Sequence, residues 1–207
     1  MCIRDRWYVN MLFLVEFADW NGERIGRGCS ASNSKENNGR TDAMQYHTGT
    51  TAANRDTYGF TQYRNIEGWW DNVYDWCDGI YFSGVNVNCI KNPANFSDTG
   101  GGTTVGTRAS TSGWISGWTN PTVDGFEYAL YPNAVSGSES TYVCDYCNYN
   151  ASGVVLHVGG NYGQNQNHGA FYLNGNNAAS NANANIGCRL LDRLAYLLTS
   201  DQTVPTV

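Results

Sequence analysis

The chain has 207 residues, enough for one domain with its own core, and its composition is 41% hydrophobic and 14% charged with a formal net charge of −6. The only lysines are Lys35 and Lys91 and the basic residues form no stripe, which argues against nucleic acid as a partner, while no apolar run is long enough to span a bilayer. With 24 Gly, 14 Tyr and 7 Trp the chain reads as loop-rich and aromatic-rich, not disordered.

Met1–Arg6 (MCIRDR) fits nothing that follows; it is read as an assembly scar and left out of fold reasoning. Tyr8, Met11, Leu12, Val15 and Ala18 then recur at helical spacing, broadened by Phe13, Leu14 and Phe17. This predicts a largely buried helix of about ten residues or slightly more, ending at the C-cap signal Asn21-Gly22. Glu16 and Asp19 interrupt the stripe and argue against a secretory segment.

Ser30 to Arg55 is polar and reads as loops with at most one weak hairpin. Tyr58–Arg64 reads as a short strand leading to Glu67–Gly79 (EGWWDNVYDWCDG). There Trp70, Val73, Trp76 and Cys77 are expected to pack inward, while Asn72 and Asp75 bond nearby backbone. Ile80–Val87 reads as one alternating strand, followed by a turn at Lys91-Asn92-Pro93. Gly100–Gly102 is a flexible loop without the Lys and helix of a phosphate cradle. Trp114, Ile115 and Trp118, set between glycines, are expected to fix a loop on the core. Phe126–Tyr131 is a short apolar segment, and Thr141–Tyr149 enters a strand system that continues in Val154–Val158. Leu191–Leu198 has the apolar face of a short terminal helix, and Asp201–Val207 reads as a frayed tail. No boundary or repeat interrupts the chain, so residues 7–190 are taken as one domain and 191–207 as a C-terminal tail.

The seven cysteines are odd in number and no convincing signal peptide precedes them, so synthesis in the cytoplasm with reduced thiols is the default. Cys144-Asp-Tyr-Cys147 has the spacing of a zinc or redox pair. No second such pair follows, and ordinary buried thiols are the favoured reading; no metal is expected. Of the histidines, His47 lies in a polar loop, His157 sits inside an apolar strand as a structural side chain, and His168 lies among asparagines. No nucleophile elbow appears, and neither a catalytic residue nor a cofactor is expected.

Val154–Leu190 combines two sets of residues. Val154–Leu156, Val158–Gly160, Gly169–Phe171, Leu173, Ile186, Gly187 and Leu190 form an apolar or small-residue frame of short strands and turns. The rest is rich in Asn, whose donors and acceptors are too costly to bury unpaired, so these side chains are expected on one surface. A biased polar face accounts for them. So does the genetic code: randomising the two adenines of AAC or AAT gives Tyr, His, Ser, Asp, Gly and apolar residues without a stop codon, and this cluster holds Tyr162, Gly163 and His168.

The close of this stretch, Ala179–Leu190, resembles the variable region of proteins diversified by retroelements. Glu67–Gly79 is similar to the Gly-Asn-Val-Trp-Glu-Trp element of the formylglycine-generating-enzyme-like fold, with Asp71 in place of Gly and Tyr74-Asp75 in place of Trp-Glu. Leu12–Asn21 is similar to that fold's early helix, and the resemblance runs from Trp7 to Leu190. It implies an α+β, C-type lectin-like fold of short antiparallel strands, one or two helices and long loops. It also implies a binding protein, not an enzyme, whose C-terminal surface (about 154–190) is rewritten by adenine-directed mutagenesis. The implied setting is a phage tail tip or a bacterial cell surface, with an unknown protein or glycan as ligand and oligomers possible.

The ligand-binding, variable positions would be Asn161, Tyr162, Asn165, Asn167, His168, Asn174, Asn177, Asn181 and Asn183. Gly159, Gly160, Gly169, Phe171, Leu173, Ile186 and Arg189 would be scaffold. The copper-holding cysteine pair of the related enzymes finds no counterpart in Cys144, Cys147 and Cys188. Tyr131-Pro-Asn133 and Trp70-Asp-Asn72 lack the carboxylate or the order of calcium-dependent lectin motifs. The alternatives are a tail or adhesin domain that is not diversified and, behind it, a formylglycine-generating-like enzyme.

Overall fold

The computed structural model describes residues 2–20, 24–26, 28–31, 34–43, 46–47 and 60–188. The helix α1 spans Ile3–Phe17 and stops at Ala18, which takes a left-handed φ of 50° and donates its N–H to Leu14 O at 2.8 Å. It therefore ends before Asn21-Gly22, and residues 2–6 belong to the packed structure. Cys2 bridges to Asp78, and Ile3 N–H donates to Asp78 O at 3.0 Å.

The helix also turns another face inward than its Leu and Val spacing suggests. Ile3, Arg6, Trp7, Asn10 and Phe13 are buried, whereas Tyr8, Leu12 and Val15 are 59%, 45% and 85% exposed. The larger aromatics decide the rotation, because they bury the most area. Trp7 meets Trp118 edge-on at 5.1 Å, and Phe13 packs against Tyr63 and Trp70. The two polar groups carried inward find hydrogen-bond partners there. Arg6 donates to Trp69 O and Ala170 O and lies over the Trp69 ring; Asn10 donates to Ala170 O at 2.7 Å and accepts from Trp69 Nε1 at 2.8 Å.

The strands are short: β1 (Gln62–Tyr63), β2 (Ile66–Glu67), β3 (Tyr74–Cys77), β4 (Ile80–Ser83), β5 (Asn86–Cys89), β6 (Thr103–Thr107) and β7 (Gly113–Trp114), then β8 (Gly117–Trp118), β9 (Pro132–Ala134), β10 (Tyr146–Tyr149), β11 (Val155–Val158), β12 (Leu173–Asn177) and β13 (Ile186–Gly187). β1 and β2 form a hairpin whose turn residues Arg64 and Asn65 both have positive φ, as a two-residue turn of this hand requires. The single strand expected over Ile80–Val87 is instead the hairpin β4–β5. Gly84, at φ 58°, lets the chain reverse in mid-run. β6 completes that sheet, and β8 pairs with β9.

The largest sheet has the order β13-β3-β11-β12-β10-β7. The expected α+β, C-type lectin-like fold is corrected here. The chain is mostly β, with α1 the one α-helix among the described residues and its strands shared among several sheets. The main sheet is mixed, because β10 runs parallel to β12 and β13 parallel to β3. Connectivity is the reason: β11 and β12 fold back on each other, so β10 meets β12 from the far side, and β13 reaches the outer edge of β3 only by crossing β11 and β3.

Arg108 joins this sheet to the three-stranded one. It is buried with no carboxylate partner among the described residues, donates to Gly84 O, Gly175 O, Asn150 O and Gly153 O at 2.6–3.0 Å, and lies against the Phe82 and Tyr149 rings. The expected terminal helix Leu191–Leu198, the tail, Arg189 and much of the polar stretch from Ser30 to Arg55 lie outside the described residues.

Candidate ligand-binding face

Side chains alternate across a strand, so the six-stranded sheet has two unlike faces. Cys77, Leu156, Val158, Leu173 and Cys147 point into the core. On the other face Trp76, His157, Asn174 and Asn148 stand in one register across β3, β11, β12 and β10. Tyr146 continues the face to Trp114 on the edge strand β7. Tyr74 and Tyr172, two residues before Trp76 and Asn174, share it; their rings stack at 5.8 Å and their hydroxyls lie 3.1 Å apart. None of these side chains carries a formal charge at neutral pH.

His157 is fully buried in this row, stacked on Tyr74 and touched edge-on by Trp76 at a centroid distance of 4.3 Å. Its Nδ1 lies 3.0 Å from Asn177 Nδ2. An amide NH2 only donates, so Nδ1 accepts and the neutral ring carries its proton on Nε2. Burial holds this imidazole down to about 4.

From His157 a chain of amides runs outward. Asn181 donates to Asn177 Oδ1, and Asn183 donates to Asn181 Oδ1 at 2.8 Å. Asn174 Oδ1 accepts from Asn176 N–H at 3.0 Å. The connection from β12 to β13 must cross β11 and β3, and these amide bonds place it on the His157 side. It rejoins the sheet where Tyr74 N–H donates to Asn185 O at 2.8 Å.

The other Asn-rich loop leaves β11 through Gly159 and Gly160, both at positive φ. Asn161 Oδ1 caps Gly163 N–H at 2.8 Å, and Tyr162 N–H donates to Asn72 O at 2.9 Å. Asn165–Asn167 form a 3-10 turn, and His168 packs on Gly160, where an added Cβ would lie 2.3 Å from His168 Cβ.

The residues expected on one surface thus divide. Asn165 and Asn183 are exposed, while Tyr162, Asn167, Asn177 and Asn181 are half-buried. Asn161, His168 and Asn174 are buried, which corrects the expected exposure of these three. Local hydrogen bonds make burial of the two asparagines tolerable. Trp114, Tyr146 and Asn148 were not anticipated as part of a face; the alternation Tyr146-Cys147-Asn148-Tyr149 is the sequence signal that carries them.

Beside β13, Asn72, Val73, Asp75, Gly187 and Cys188 line a cleft of about 580 Å³ with Phe60 and Glu67. The Glu67 carboxylate accepts from Gly39 N–H, Thr41 N–H and the Thr41 hydroxyl, which ties the 39–41 loop to β2. Cys147 is buried and Cys144 half-buried, and all seven cysteines are free. No helix among the described residues is long and apolar enough to cross a membrane. In comparisons with protein families, curated proteins and solved structures, nothing matches the chain.

Two buried groups set an expected pH response. Burial pushes Asp145 up to about 8, partly offset by the Phe171 N–H and by Arg6. The folded protein keeps this proton up to about pH 8 while an unfolded Asp loses it near 3.8, so the contribution of Asp145 to stability falls as pH rises between those values. His157 acts in the opposite sense. The unfolded ring charges near 6.5 and the folded one near 4, so stability falls as pH drops through that window. The two oppose each other, and Asp145→Asn is expected to uncover a loss of roughly 3 kcal/mol between pH 6.5 and 4 in urea unfolding. A flat profile in that variant would remove the buried neutral His157 from the account.

Proposed function

We propose that the chain is a ligand-binding display protein whose Asn-rich surface is diversified by adenine-directed mutagenesis, serving attachment at a phage tail tip or a bacterial cell surface. The observation that carries this reading is the separation of frame from loops. Val155–Asn161 and His168–Gly175 are buried throughout, whereas residues 162–165, 167 and 176–187 stand exposed or half-buried beside them. Exposed positions away from special contacts shift stability by only about 0.5 kcal/mol, so such a surface accepts many sequences. Tyr, Asn and Gly are also favoured in adaptable binding loops, for contact area at low entropic cost and for versatile hydrogen bonding. The reading involves no reaction. The resemblance at Ala179–Leu190 supports the diversification, and the structure supports the partition between fixed and variable positions.

A domain of fixed specificity is the second reading, favoured by the burial of Asn161, His168 and Asn174. Deep sequencing of the 3′ part of the gene in its source population decides between them. Substitutions confined to adenines of the loop codons, with a near-identical repeat nearby, are the expected result; an invariant region would leave only the fixed binder. At the protein level, Asn183→Ala is expected to move the unfolding free energy by less than about 0.5 kcal/mol, Asn165→Ala to cost about 1 kcal/mol because Asn165 holds a left-handed φ of 50°, and Asn174→Ala to cost about 1–3 kcal/mol. If Asn165→Ala unfolded the protein, the display assignment would fail.

A further inference from the structure

The edge of the sheet where β10 meets β7 holds side chains that the Asn-rich loops do not supply. Trp114 and Tyr146 face each other in register, with ring centroids 5.5 Å apart at 84°, and both are half-buried. Two residues along β10, Asn148 is held by donating its Nδ2 to Tyr172 OH at 2.6 Å. Trp114 Nε1, the Tyr146 hydroxyl and Asn148 Oδ1 form no hydrogen bond to the described residues. Tyr142, 67% exposed, stands by Gly137 at the same edge. The constellation offers aromatic rings with polar tips and one fixed, outward-facing amide oxygen.

We propose that Trp114, Tyr146 and Asn148 bind a neutral glycan chain, an inference that deepens the display reading by naming the ligand class of its face. Three observations favour this occupant. The row from Trp114 to Trp76 carries no Lys, Arg, Asp or Glu, so an anionic ligand finds no cation on a chain of net charge −6, and a cationic one finds no carboxylate. An extended peptide would need the free edge of β7, but Gly137 N–H already donates to Trp114 O at 3.1 Å, and a Cβ on Gly113 would lie 3.0 Å from Val135. A sugar ring needs neither. Its C–H face packs on an indole or phenol ring, and its hydroxyls both donate to an amide oxygen and accept from an indole N–H. The face is also continuous with the variable loops: Asn148 pairs in register with Asn174, and Asn174 with His157, where the amide chain begins. The β10 edge would supply a constant sugar-stacking base, and the loops beside it the discrimination.

Affinity electrophoresis of the purified chain in gels containing dextran, laminarin, xylan, mannan or anionic alginate tests this. The expected result is retardation by at least one neutral polysaccharide, with an apparent affinity weakened about tenfold in Trp114→Ala and Asn148→Ala, both still unfolding cooperatively. Should Trp114→Ala fail to fold, Trp114→Phe keeps a stacking ring without the N–H and is expected to weaken retardation less than Asn148→Ala does. Retardation by no neutral polysaccharide, by alginate alone, or to the same degree in the folded variants would overturn the proposal. Adenine-confined variation with no glycan retardation would remove the glycan and leave the display reading standing; the reverse would do the opposite.

Discussion

Arg108→Met is expected to destabilise the protein by about 3 kcal/mol, a large share of the 5–15 kcal/mol that usually holds a domain of this size. Methionine keeps much of the volume against Phe82 and Tyr149 but has no donor. Four carbonyls, those of Gly84, Asn150, Gly153 and Gly175, then lose their shared partner. Two of these bonds, to Gly153 O and Gly175 O, are buried, and each buried acceptor left unmade costs about 1–3 kcal/mol; Gly84 and Asn150 are exposed, so water replaces the guanidinium there, and Asn150 O also keeps the Gly153 N–H. The relief of no longer burying a charge offsets part of the sum. Arg108→Lys is expected to recover little, because an ammonium has three donors and no planar fork to span four carbonyls or to stack against two rings. Urea unfolding followed by Trp fluorescence measures both. A midpoint for Arg108→Met within experimental error of the parent would show that the two sheets do not depend on this link.

Trp70→Ala is expected to cost about 3–5 kcal/mol, the usual range for removing a buried aromatic. Trp70 is 1% exposed, packs edge-on against Phe13 of α1, and donates its Nε1–H to Gly26 O at 3.0 Å. Truncation opens a cavity under the helix and orphans a carbonyl at once. Trp70→Phe keeps one ring of the packing and loses the hydrogen bond, so it is expected to cost less, about 2–3 kcal/mol. Equal losses in the two variants would place the energy in the hydrogen bond and not in the packing.

The inward aim of Trp70 was legible because a bulky aromatic beside a turn has few other places to go, and Cys77 followed it. The frame from Val155 to Gly160 was legible from its β-branched run and paired glycines. The aim of α1 was not. Leu12 and Val15 outvote Arg6 and Asn10 in any hydropathy count, and only the carbonyls of Trp69 and Ala170 make the polar pair acceptable inside. Arg108 was missed for the same reason: an arginine after a threonine-rich strand reads as surface until four carbonyls converge on it. The Trp114, Tyr146 and Asn148 face depends on register between strands far apart in the chain, which periodicity within one strand cannot set. The antiparallel expectation failed on connectivity, because strand direction follows from which neighbours meet and not from composition.

The inward groups of α1 find their partner at Ala170, 164 residues after Arg6 and 160 after Asn10. During synthesis α1 therefore emerges long before the carbonyl that completes it. Until then its guanidinium and its amide have Trp69 but not Ala170 among their native partners. Folding of this domain is expected to wait until Ala170 has left the ribosome, and to be slow once it begins, as non-local closure requires. The stretch that meets α1 adjoins the loops on which new sequences would be tried. A variant whose loop slowed the docking of Ala170 would leave α1 incompletely sheltered, so selection on such a surface would act on the yield of folded protein as well as on affinity.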